Sequence, residues 1–327
     1  MKEFVSAFVD QLTEAVEIGK KAAIAVNKAK IDNVVIMGLG GSGIGGTIVS
    51  EIISNECPVP ILANKDYEIP SFVGPNTLFI ASSYSGNTEE TLTAFETAKQ
   101  KGAQLFCISS GGKLIERARE LGVEYITVPG GKPPRACLSY SLVQLLFIFN
   151  AKGLINDAFL KQIETSKALI LKQEEQIKAE AQAITDKIFN KIPVIYGFAG
   201  YEGAAIRFRQ QLNENSKILC WHQVIPEMNH NELVGWTNKH DELAVIFMLN
   251  DDAYGRNQTR KKINEEIISK YVDTIVDIKA QGSTKLERTL YLIHICDWVS
   301  CYLADKRSVD PIEIRVIEYL KGTLAKI

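Results

Sequence analysis

Two short segments of this sequence carry the residue types that bind phosphate groups. The first, Gly38–Gly43, reads GLGGSG, and the second, Ala81–Glu90, reads ASSYSGNTEE. Glycines let a backbone approach a ligand without a Cβ clash, and the free N–H groups of a helix start favour an anion. Hydroxyl groups beside such N–H groups can hold a phosphate monoester without net positive charge. The candidate phosphate-binding residues are Gly41, Ser42, Ser83, Ser85 and Thr88.

Neither segment is a complete signature by itself. GLGGSG is one residue off the spacing of a relaxed dinucleotide-binding pattern, and Asn64 rather than an acid follows the second predicted strand. No Gly-Lys-Ser/Thr follows, so the segment is not a P-loop. Asn87 and Glu90 resemble a capping box, so a capped helix start with ordinary turn serines is the alternative. Both segments follow strands of one predicted sheet, where ligands of α/β proteins bind, and this favours the phosphate interpretation.

Alternating strands and helices must position these two segments. Short apolar runs predict the strands, and the short connections imply parallel pairing with right-handed crossovers. The predicted strands are 33–37, 59–63, 77–81, 104–108, 124–128, 193–198, 242–249 and 272–278. The predicted helices are 1–30, 43–54, 88–100, 113–121, 137–150, 156–190, 255–270, 284–304 and 312–324, with one more after a second glycine turn at 199–203.

The two halves of the chain open in the same way, with a strand, a glycine turn and a helix. We therefore expect an α/β protein with two tandem domains, each a doubly wound, flavodoxin-like parallel sheet flanked by helices. The expected bounds are 1–153 for the N-terminal domain with its leading helix, 154–190 for a linker helix and 191–327 for the C-terminal domain with its terminal helix.

The composition is that of an ordinary globular protein. Of 327 residues, 46% are hydrophobic and 23% are charged, which excludes a mainly disordered, collagen-like or coiled-coil chain. Lys and Arg number 37 against 39 Asp and Glu, for a formal net charge of −2. This balance gives no electrostatic reason to expect nucleic acid or an anionic membrane as a partner. Any anion must be bound locally.

The cysteines and the N-terminus both favour a cytoplasmic protein. Six dispersed cysteines without a CxxC motif predict reduced, mostly buried thiols. The first 23 residues contain acids and no apolar core of signal-peptide length, so export is not expected. The longest apolar stretch, Leu142–Phe149, is too short to span a bilayer.

The two phosphate-binding segments resemble those of the SIS (sugar isomerase) domain, and further segments narrow the resemblance. In the order of the chain, these segments are similar to those of the bifunctional phosphoglucose/phosphomannose isomerases. They are Lys132–Leu138 (KPPRACL), Asn213–Lys217 (NENSK), Pro226–Glu232 (PEMNHNE), Asp310-Pro311 and Leu320-Lys321. The resemblance spans most of the chain. The SIS signature alone is less specific, because regulators and amidotransferases share it.

The resemblance implies two SIS domains and a homodimer. It implies interconversion of glucose 6-phosphate, and of mannose 6-phosphate, with fructose 6-phosphate, without a metal or another cofactor. Such a reaction needs a base beside the carbon, a group that stabilises the enediolate, and help with ring opening. By resemblance, Glu214 is the base, Arg135 stabilises the enediolate and Lys321 assists ring opening. His230 is implied to enter the active site from the partner subunit and to exchange a proton with the ring oxygen.

Two other functions remain as alternatives. A SIS protein could sense a sugar phosphate without turning it over, but such regulators carry a DNA-binding helical region that the short N-terminal helix does not supply. The isomerase half of a glucosamine-phosphate synthase would require a glutamine-hydrolysing domain. A metal site is not expected, because His222 and His230 are poorly spaced and His294, Cys296 and Cys301 fall in an apolar helix.

Overall fold

Two parallel sheets form the framework of the protein. The structure is a computed structural model and describes residues 1–26, 29–324 and 326. The first sheet has the strand order β2-β1-β3-β4-β5 and the second has the order β7-β6-β8-β9. The strands are β1 (Asn33–Met37), β2 (Ile61–Asn64), β3 (Thr77–Ser82), β4 (Gln104–Ser109), β5 (Glu124–Thr127), β6 (Ile192–Phe198), β7 (Trp221–Ile225), β8 (Leu243–Leu249) and β9 (Ile275–Lys279).

Helices cover both faces of each sheet. They are α1 (Lys2–Ser6), α2 (Phe8–Lys21), α3 (Gly40–Ile52), α4 (Glu89–Gln100), α5 (Gly112–Leu121), α6 (Leu138–Ala151), α7 (Ala158–Ile188), α8 (Glu202–Glu214), α9 (Gly255–Ile268), α10 (Lys285–Lys306) and α11 (Arg315–Leu324). Short 3-10 turns span Pro134–Ala136, Glu227–His230 and Glu232–Gly235. The expected α/β class is confirmed, and the order of the first sheet is the flavodoxin-like one.

Continuous apolar runs place the central strands in the interior. Every residue of β3 is buried, as is typical of a parallel strand with helices on both faces. Successive residues point to opposite faces, so Ile80 joins a core under α2, α3 and α6 while Phe79 joins a second core under α4 and α5. The first of these cores continues into the second sheet through Ile195 and Ile246. One apolar core therefore connects the two sheets.

The structure differs from the predicted elements in three places: one helix ends earlier than predicted, one helix begins earlier, and one strand was not predicted. The helix predicted over 1–30 ends at Lys21, although residues 22–26 are apolar and rich in alanine; 27 and 28 lie outside the described residues. There the backbone of Ala25 donates to Glu124 and accepts from Lys152, so tertiary contacts override helix propensity. Helix α3 begins at Gly40 rather than near 43, and strand β7 was not predicted.

Helix α7 is packed along its length. Ile163, Ile170, Ile177 and Ile184 are buried at every seventh position, so one stripe of the helix faces the interior. At its middle Glu174 lies 2.7 Å from His294 of α10, and Thr185 donates to the carbonyl oxygen of Val299.

The division of the chain at 153 and 191 remains a prediction. Among the described residues, no helix is long and apolar enough to cross a bilayer.

Helices α3 and α8 cross closely between the two sheets. A Cβ on Gly203 would lie 2.8 Å from Cγ1 of Ile48, so only glycine permits this approach. Glu51 of α3 accepts a hydrogen bond from the Gly203 N–H at 2.9 Å, and its own carbonyl oxygen accepts from Lys285. Burial raises the pKa of the Glu51 carboxyl to about 7.

The raised pKa of Glu51 predicts that the free energy of unfolding falls as the pH rises from about 4.5 to 7. Between about pH 4.5 and 7 the folded protein keeps the Glu51 proton and the unfolded chain does not, so ionisation opposes folding. We expect Glu51→Gln, which retains an acceptor for Gly203, to be more stable than the wild type above pH 7 by about 2 kcal/mol. The difference should vanish near pH 4.5. Thermal denaturation at several pH values measures it.

Glu164→Gln is the matched control, because the Glu164 side chain is exposed and pairs only with Lys167. A gain in stability that is equal at pH 5 and pH 8, or equal in Glu51→Gln and Glu164→Gln, would exclude ionisation of Glu51 as the cause.

Candidate functional site

The phosphate-binding candidates meet at the carboxyl ends of β1 and β3. These neighbouring strands mark the point where the strand order reverses, which is where open α/β sheets bind ligands. Ser42 lies in the first turn of α3, and its Oγ accepts a hydrogen bond from the backbone N–H of Tyr84 at 2.9 Å. That contact joins the two glycine- and serine-rich segments into one concave surface, called here the hydroxyl cradle (Gly41, Ser42, Ser83, Ser85 and Thr88).

The hydroxyl groups of the cradle are oriented by backbone donors. Ser83 Oγ accepts from Gly86 N at 3.1 Å, and Ser85 Oγ accepts from Asn87 N at 3.2 Å. Ser83 Oγ and Thr88 Oγ1 share a hydrogen bond of 2.9 Å. A serine hydroxyl has one proton to donate, and accepting a backbone N–H leaves that proton free to point at an anion. The cradle therefore presents donors to a ligand.

The capping box predicted for Asn87 and Glu90 is wrong. Helix α4 begins at Glu89 with Thr88 as its N-cap residue, and no side chain caps it. The Asn87 side chain instead accepts a hydrogen bond from the backbone N–H of Lys113, at the start of α5. Asn87 thus ties the loop after β3 to the loop after β4, where glycines allow a very close approach.

Two glycines of the site have no substitute. Gly86 has φ +69°, and a Cβ there would lie 1.8 Å from the carbonyl oxygen of Gly111. A Cβ on Gly41 would lie 2.9 Å from the backbone nitrogen of Arg135. The start of α3 therefore rests directly on the segment that carries the predicted catalytic arginine.

Arg135 is buried, and each of its three guanidinium nitrogens has a hydrogen-bond partner. It lies in the 3-10 turn Pro134–Ala136, where the preceding prolines fix the backbone, and its exposed fraction is 3%. Its Nε donates to Asn215 Oδ1 at 2.8 Å and its Nη1 lies 3.2 Å from Glu214 Oε2. Its Nη2 donates to the carbonyl oxygens of Pro311 at 2.5 Å and Ile312 at 3.3 Å. Burial lowers the pKa of this guanidinium, and the Glu214 carboxylate opposes that effect.

Glu214 and Asn215 follow each other at the end of α8. Glu214 is the last residue of the helix, as predicted, and its side chain is partly exposed while Asn215 is fully buried. The amide of Asn215 donates to Ser300 Oγ at 3.0 Å, so the oxygen that receives Arg135 is locked in place. A carboxylate that is half open to a cavity and held by a fixed guanidinium can exchange a proton with a bound ligand.

A second buried ion pair supports Arg135 from behind. Arg207 Nη2 donates to the backbone oxygen of Arg135 at 3.0 Å and pairs with Asp297 at 2.6 Å. Gln211 completes the group by donating to the other oxygen of Asp297 at 2.9 Å. The sequence analysis missed all three residues. Arg207 and Gln211, four positions apart on one helix face, were a usable signal, but their acceptor is 86 residues further on in the chain.

The segment before α11 closes one side of the site. Lys217 Nζ donates to the carbonyl oxygens of Glu214 at 2.5 Å and Glu313 at 2.7 Å. With the two bonds from Arg135, this holds residues 311–313 over the end of α8. Glu214, Lys217 and Arg315 line a cavity of about 450 Å³ beside this segment. Asp310-Pro311 entered the sequence analysis only by resemblance, and the carbonyl oxygens that accept from Arg135 are those of Pro311 and Ile312.

Two of the predicted catalytic residues lie elsewhere on this chain. His230 ends the 3-10 turn after β7 and is exposed, and Lys321 is exposed on α11. Within the described part of the chain, neither side chain forms a hydrogen bond or ion pair with Arg135 or Glu214. The apolar side chains of α11 are also uncovered, with exposed fractions of 83% for Val316 and 77% for Tyr319. One chain thus assembles the cradle, Arg135 and Glu214 only.

The fold is shared with solved structures that are distant in sequence. A hypothetical protein from Thermus thermophilus matches 99% of this chain and 90% of its own with a TM-score of 0.78 at 15% identity. The C-terminal domain of a glucosamine-fructose-6-phosphate aminotransferase from Francisella tularensis matches 95% and 98% with a TM-score of 0.75 at 16% identity. These likenesses are of fold.

Sequence relatives identify the family. A family model described as the bacterial phospho-glucose isomerase C-terminal SIS domain matches residues 177–324. A bifunctional phosphoglucose/phosphomannose isomerase from Caldicellulosiruptor bescii is 41% identical to this chain over 100% of this chain and 99% of the relative. Another, from Aquifex aeolicus, is 36% identical over 93% of each of the two chains. The chain belongs to the family of bifunctional phosphoglucose/phosphomannose isomerases, and the resemblance stated from the motifs is confirmed.

The lock on Arg135 predicts a stability effect. Asn215→Ala leaves the buried Nε of Arg135 without its acceptor and removes the donor to Ser300 Oγ, which should lower the free energy of unfolding by about 2 kcal/mol. Urea denaturation measures this change. Asn238→Ala is the control, because Asn238 is exposed and its amide donates to the neighbouring Thr237, and it should change stability by less than about 0.5 kcal/mol. Equal losses in both variants would refute the lock.

Proposed function

We propose that this protein is an aldose–ketose isomerase of hexose 6-phosphates. It interconverts glucose 6-phosphate and mannose 6-phosphate with fructose 6-phosphate through a cis-enediolate. The observation that carries the proposal is the Arg135–Glu214 pair, 3.2 Å apart and set against the start of α3 at Gly41. A proton-exchanging carboxylate, a fixed cation and a phosphate cradle are the three parts that this reaction needs.

The phosphate group binds in the hydroxyl cradle. Ser42 and Ser85 donate from their hydroxyl groups, Ser83 and Thr88 supply one further donor between them because they share a hydrogen bond, and the N–H groups at the start of α3, including Gly41, meet the remaining oxygens. No lysine or arginine is needed at the phosphate, which agrees with a chain whose net charge is −2. Holding the phosphate fixes the far end of the sugar, so C1 and C2 are presented to Glu214.

Glu214 moves one proton between neighbouring carbons. In the direction from aldose to ketose, its carboxylate takes the proton from C2, and the C2–H electron pair forms the C1–C2 double bond while the C1 carbonyl becomes an alkoxide. The hydroxyl proton of O2 then passes to O1, the same carboxyl returns its proton to C1, and C2 becomes the carbonyl. The partly exposed position of Glu214 beside a cavity suits a group that must reach substrate.

Arg135 stabilises the negative charge of the enediolate. A guanidinium that is already held by Asn215, Pro311 and Ile312 does not have to reorganise when charge develops, and this is the basis of electrostatic stabilisation in enzymes. The charge is met by the protein itself, so the proposed mechanism uses neither a metal nor another cofactor.

The enediolate explains how one site can serve two aldoses. Glucose and mannose differ only in configuration at C2, and C2 is planar in the enediolate. Proton return to C2 from one face gives glucose 6-phosphate and from the other face mannose 6-phosphate. Both substrates are therefore part of the proposal, in agreement with the names of the relatives.

The proposal includes a homodimer in which His230 of one subunit serves the site of the other. Three observations support it. His230 is exposed and forms no hydrogen bond or ion pair with Arg135 or Glu214 among the described residues, α11 leaves its apolar side chains uncovered, and the cavity beside Glu214 is open. In the dimer, His230 exchanges the proton of the ring oxygen and Lys321 assists ring opening. We also propose a cytoplasmic location, supported by six free cysteine thiols.

The test of the function is turnover of fructose 6-phosphate by the purified, EDTA-treated protein, with glucose 6-phosphate and mannose 6-phosphate measured separately. We expect both products. In Glu214→Gln, kcat should fall by about 10²–10⁴-fold, because the amide cannot accept the carbon proton, while KM stays within about threefold.

Glu164→Gln, an exposed glutamate, is the control and should retain full activity. Glucose 6-phosphate alone would remove the mannose reaction from the proposal. Tight binding of fructose 6-phosphate without either product would favour the alternative, a SIS-domain sensor of sugar phosphates. Unchanged turnover in Glu214→Gln would exclude Glu214 as the base.

Mixing two inactive variants tests the shared site. Glu214→Gln and His230→Asn are each expected to be inactive, but a mixed dimer has one site that contains both native residues. After unfolding and refolding the variants together, activity should recover to about a quarter of the wild-type value, because half of the dimers are mixed and each has one intact site of two. Activity assays of the separate and mixed proteins measure this, and no recovery would place His230 in its own subunit's site.

A further inference from the structure

Tyr84 lies between two residues of the hydroxyl cradle, yet its side chain leaves the cradle. Its backbone N–H donates to Ser42 Oγ, and its backbone oxygen accepts from Ser110 N at 2.9 Å and Ser110 Oγ at 2.6 Å. The backbone of one residue therefore connects the loops that follow β1, β3 and β4. These contacts fix Tyr84 as firmly as the cradle itself.

The hydroxyl of Tyr84 closes a turn in another part of the chain. It donates to the carbonyl oxygen of Pro129 at 2.9 Å and accepts from the backbone N–H of Lys132 at 3.2 Å. These are residues i and i+3 of the segment Pro129-Gly130-Gly131-Lys132, the two positions that a β-turn joins by a direct hydrogen bond. The Tyr84 hydroxyl takes the place of that bond.

The Gly-Gly pair of this turn has few other contacts. Gly131 has φ +80°, and no described atom beyond its chain neighbours lies within 4 Å of where its Cβ would be, while the Cβ position of Gly130 meets the Ser110 side chain. The side chain of Lys132 is held separately, because its Nζ donates to the Tyr140 hydroxyl at 3.0 Å, so the Tyr84 hydroxyl acts on the backbone of the turn. The rigid Pro133-Pro134-Arg135 segment follows Lys132 directly, so movement of the turn backbone is carried towards Arg135.

We propose that Tyr84 is a positioning residue that holds Arg135 in register with the bound phosphate. The Tyr84 hydroxyl, which also lies at the thiol of Cys137, and the Gly41 contact link the cradle to the segment of Arg135. Through them, the loop that binds the phosphate also sets the distance from the phosphate to the guanidinium. The inference rests on the proposed isomerase function, in which that distance is the length of the sugar phosphate.

Tyr84→Phe tests the inference, because it removes the hydroxyl and leaves the backbone bond to Ser42. We expect kcat for fructose 6-phosphate to fall about tenfold, since small misplacements of a catalytic group are costly. The inhibition constant of inorganic phosphate should stay within about twofold, because the cradle is unchanged. Tyr125→Phe is the matched control: Tyr125 is partly exposed, its hydroxyl accepts only from Arg119, and its loss should leave kcat unchanged.

A double-mutant cycle separates positioning from general destabilisation. If Tyr84 acts through Arg135, Tyr84→Phe should lower kcat by less than about twofold further in an Arg135→Lys background. Gly131→Ala is an independent variant, because it strains the turn at its left-handed φ without touching Tyr84, and it should show the same loss of kcat with phosphate inhibition retained. It also keeps the test open if Tyr84→Phe folds poorly.

Three results would overturn the inference: unchanged kcat in both variants, a loss of phosphate affinity as large as the loss of kcat, or full additivity with Arg135→Lys. The wild-type assay keeps this separate from the proposed function. A wild-type protein that binds inorganic phosphate but does not convert fructose 6-phosphate would refute the isomerase itself, whereas an active wild type with unaffected variants would refute only the role of Tyr84.

Discussion

The buried guanidinium of Arg135 is the interaction on which the rest of the site depends. A charge with 3% exposure is tolerated only if every donor is satisfied, and its acceptors come from Glu214 and Asn215 at the end of α8 and from the carbonyls of residues 311 and 312. Satisfying this one side chain brings together the first sheet, the second sheet and the C-terminal segment. The cost of burying the charge is therefore offset by contacts that also assemble the site.

Close backbone approach is the second constraint. The start of α3 rests on the Arg135 segment at Gly41, and α3 crosses α8 at Gly203, where a Cβ would meet Ile48 and Glu51. Gly41 therefore limits the distance between the hydroxyl cradle and the segment of Arg135, and Gly203 limits the distance between α3 and α8.

The sequence predicted the parts of the molecule that depend on local pattern. Strand–helix alternation predicted eight of the nine described strands, and the motifs indicated the cradle, Arg135 and Glu214. Strand β7 was missed because His222 and Gln223 interrupt its apolar run. The Asp297–Arg207 pair and the Tyr84–Lys132 bond join residues 90 and 48 positions apart, and only the folded chain brings such residues together. Residues 22–26 are not helical for the same reason, because contacts between distant parts of the chain decide their structure. The backbone of Ala25 is hydrogen-bonded to the paired side chains of Glu124 and Lys152.

The contact between Glu51 and Gly203 gives the two halves of the chain different roles. Each half has a strand, a glycine turn and a helix, so each began with the same means of attracting an anion. In the second half that helix end is already occupied by the Glu51 carboxyl group from the first half. Of the two repeated segments, the start of α3 is therefore the one left for the proposed ligand. The second half contributes Glu214 and Asn215, the partners of Arg135, instead.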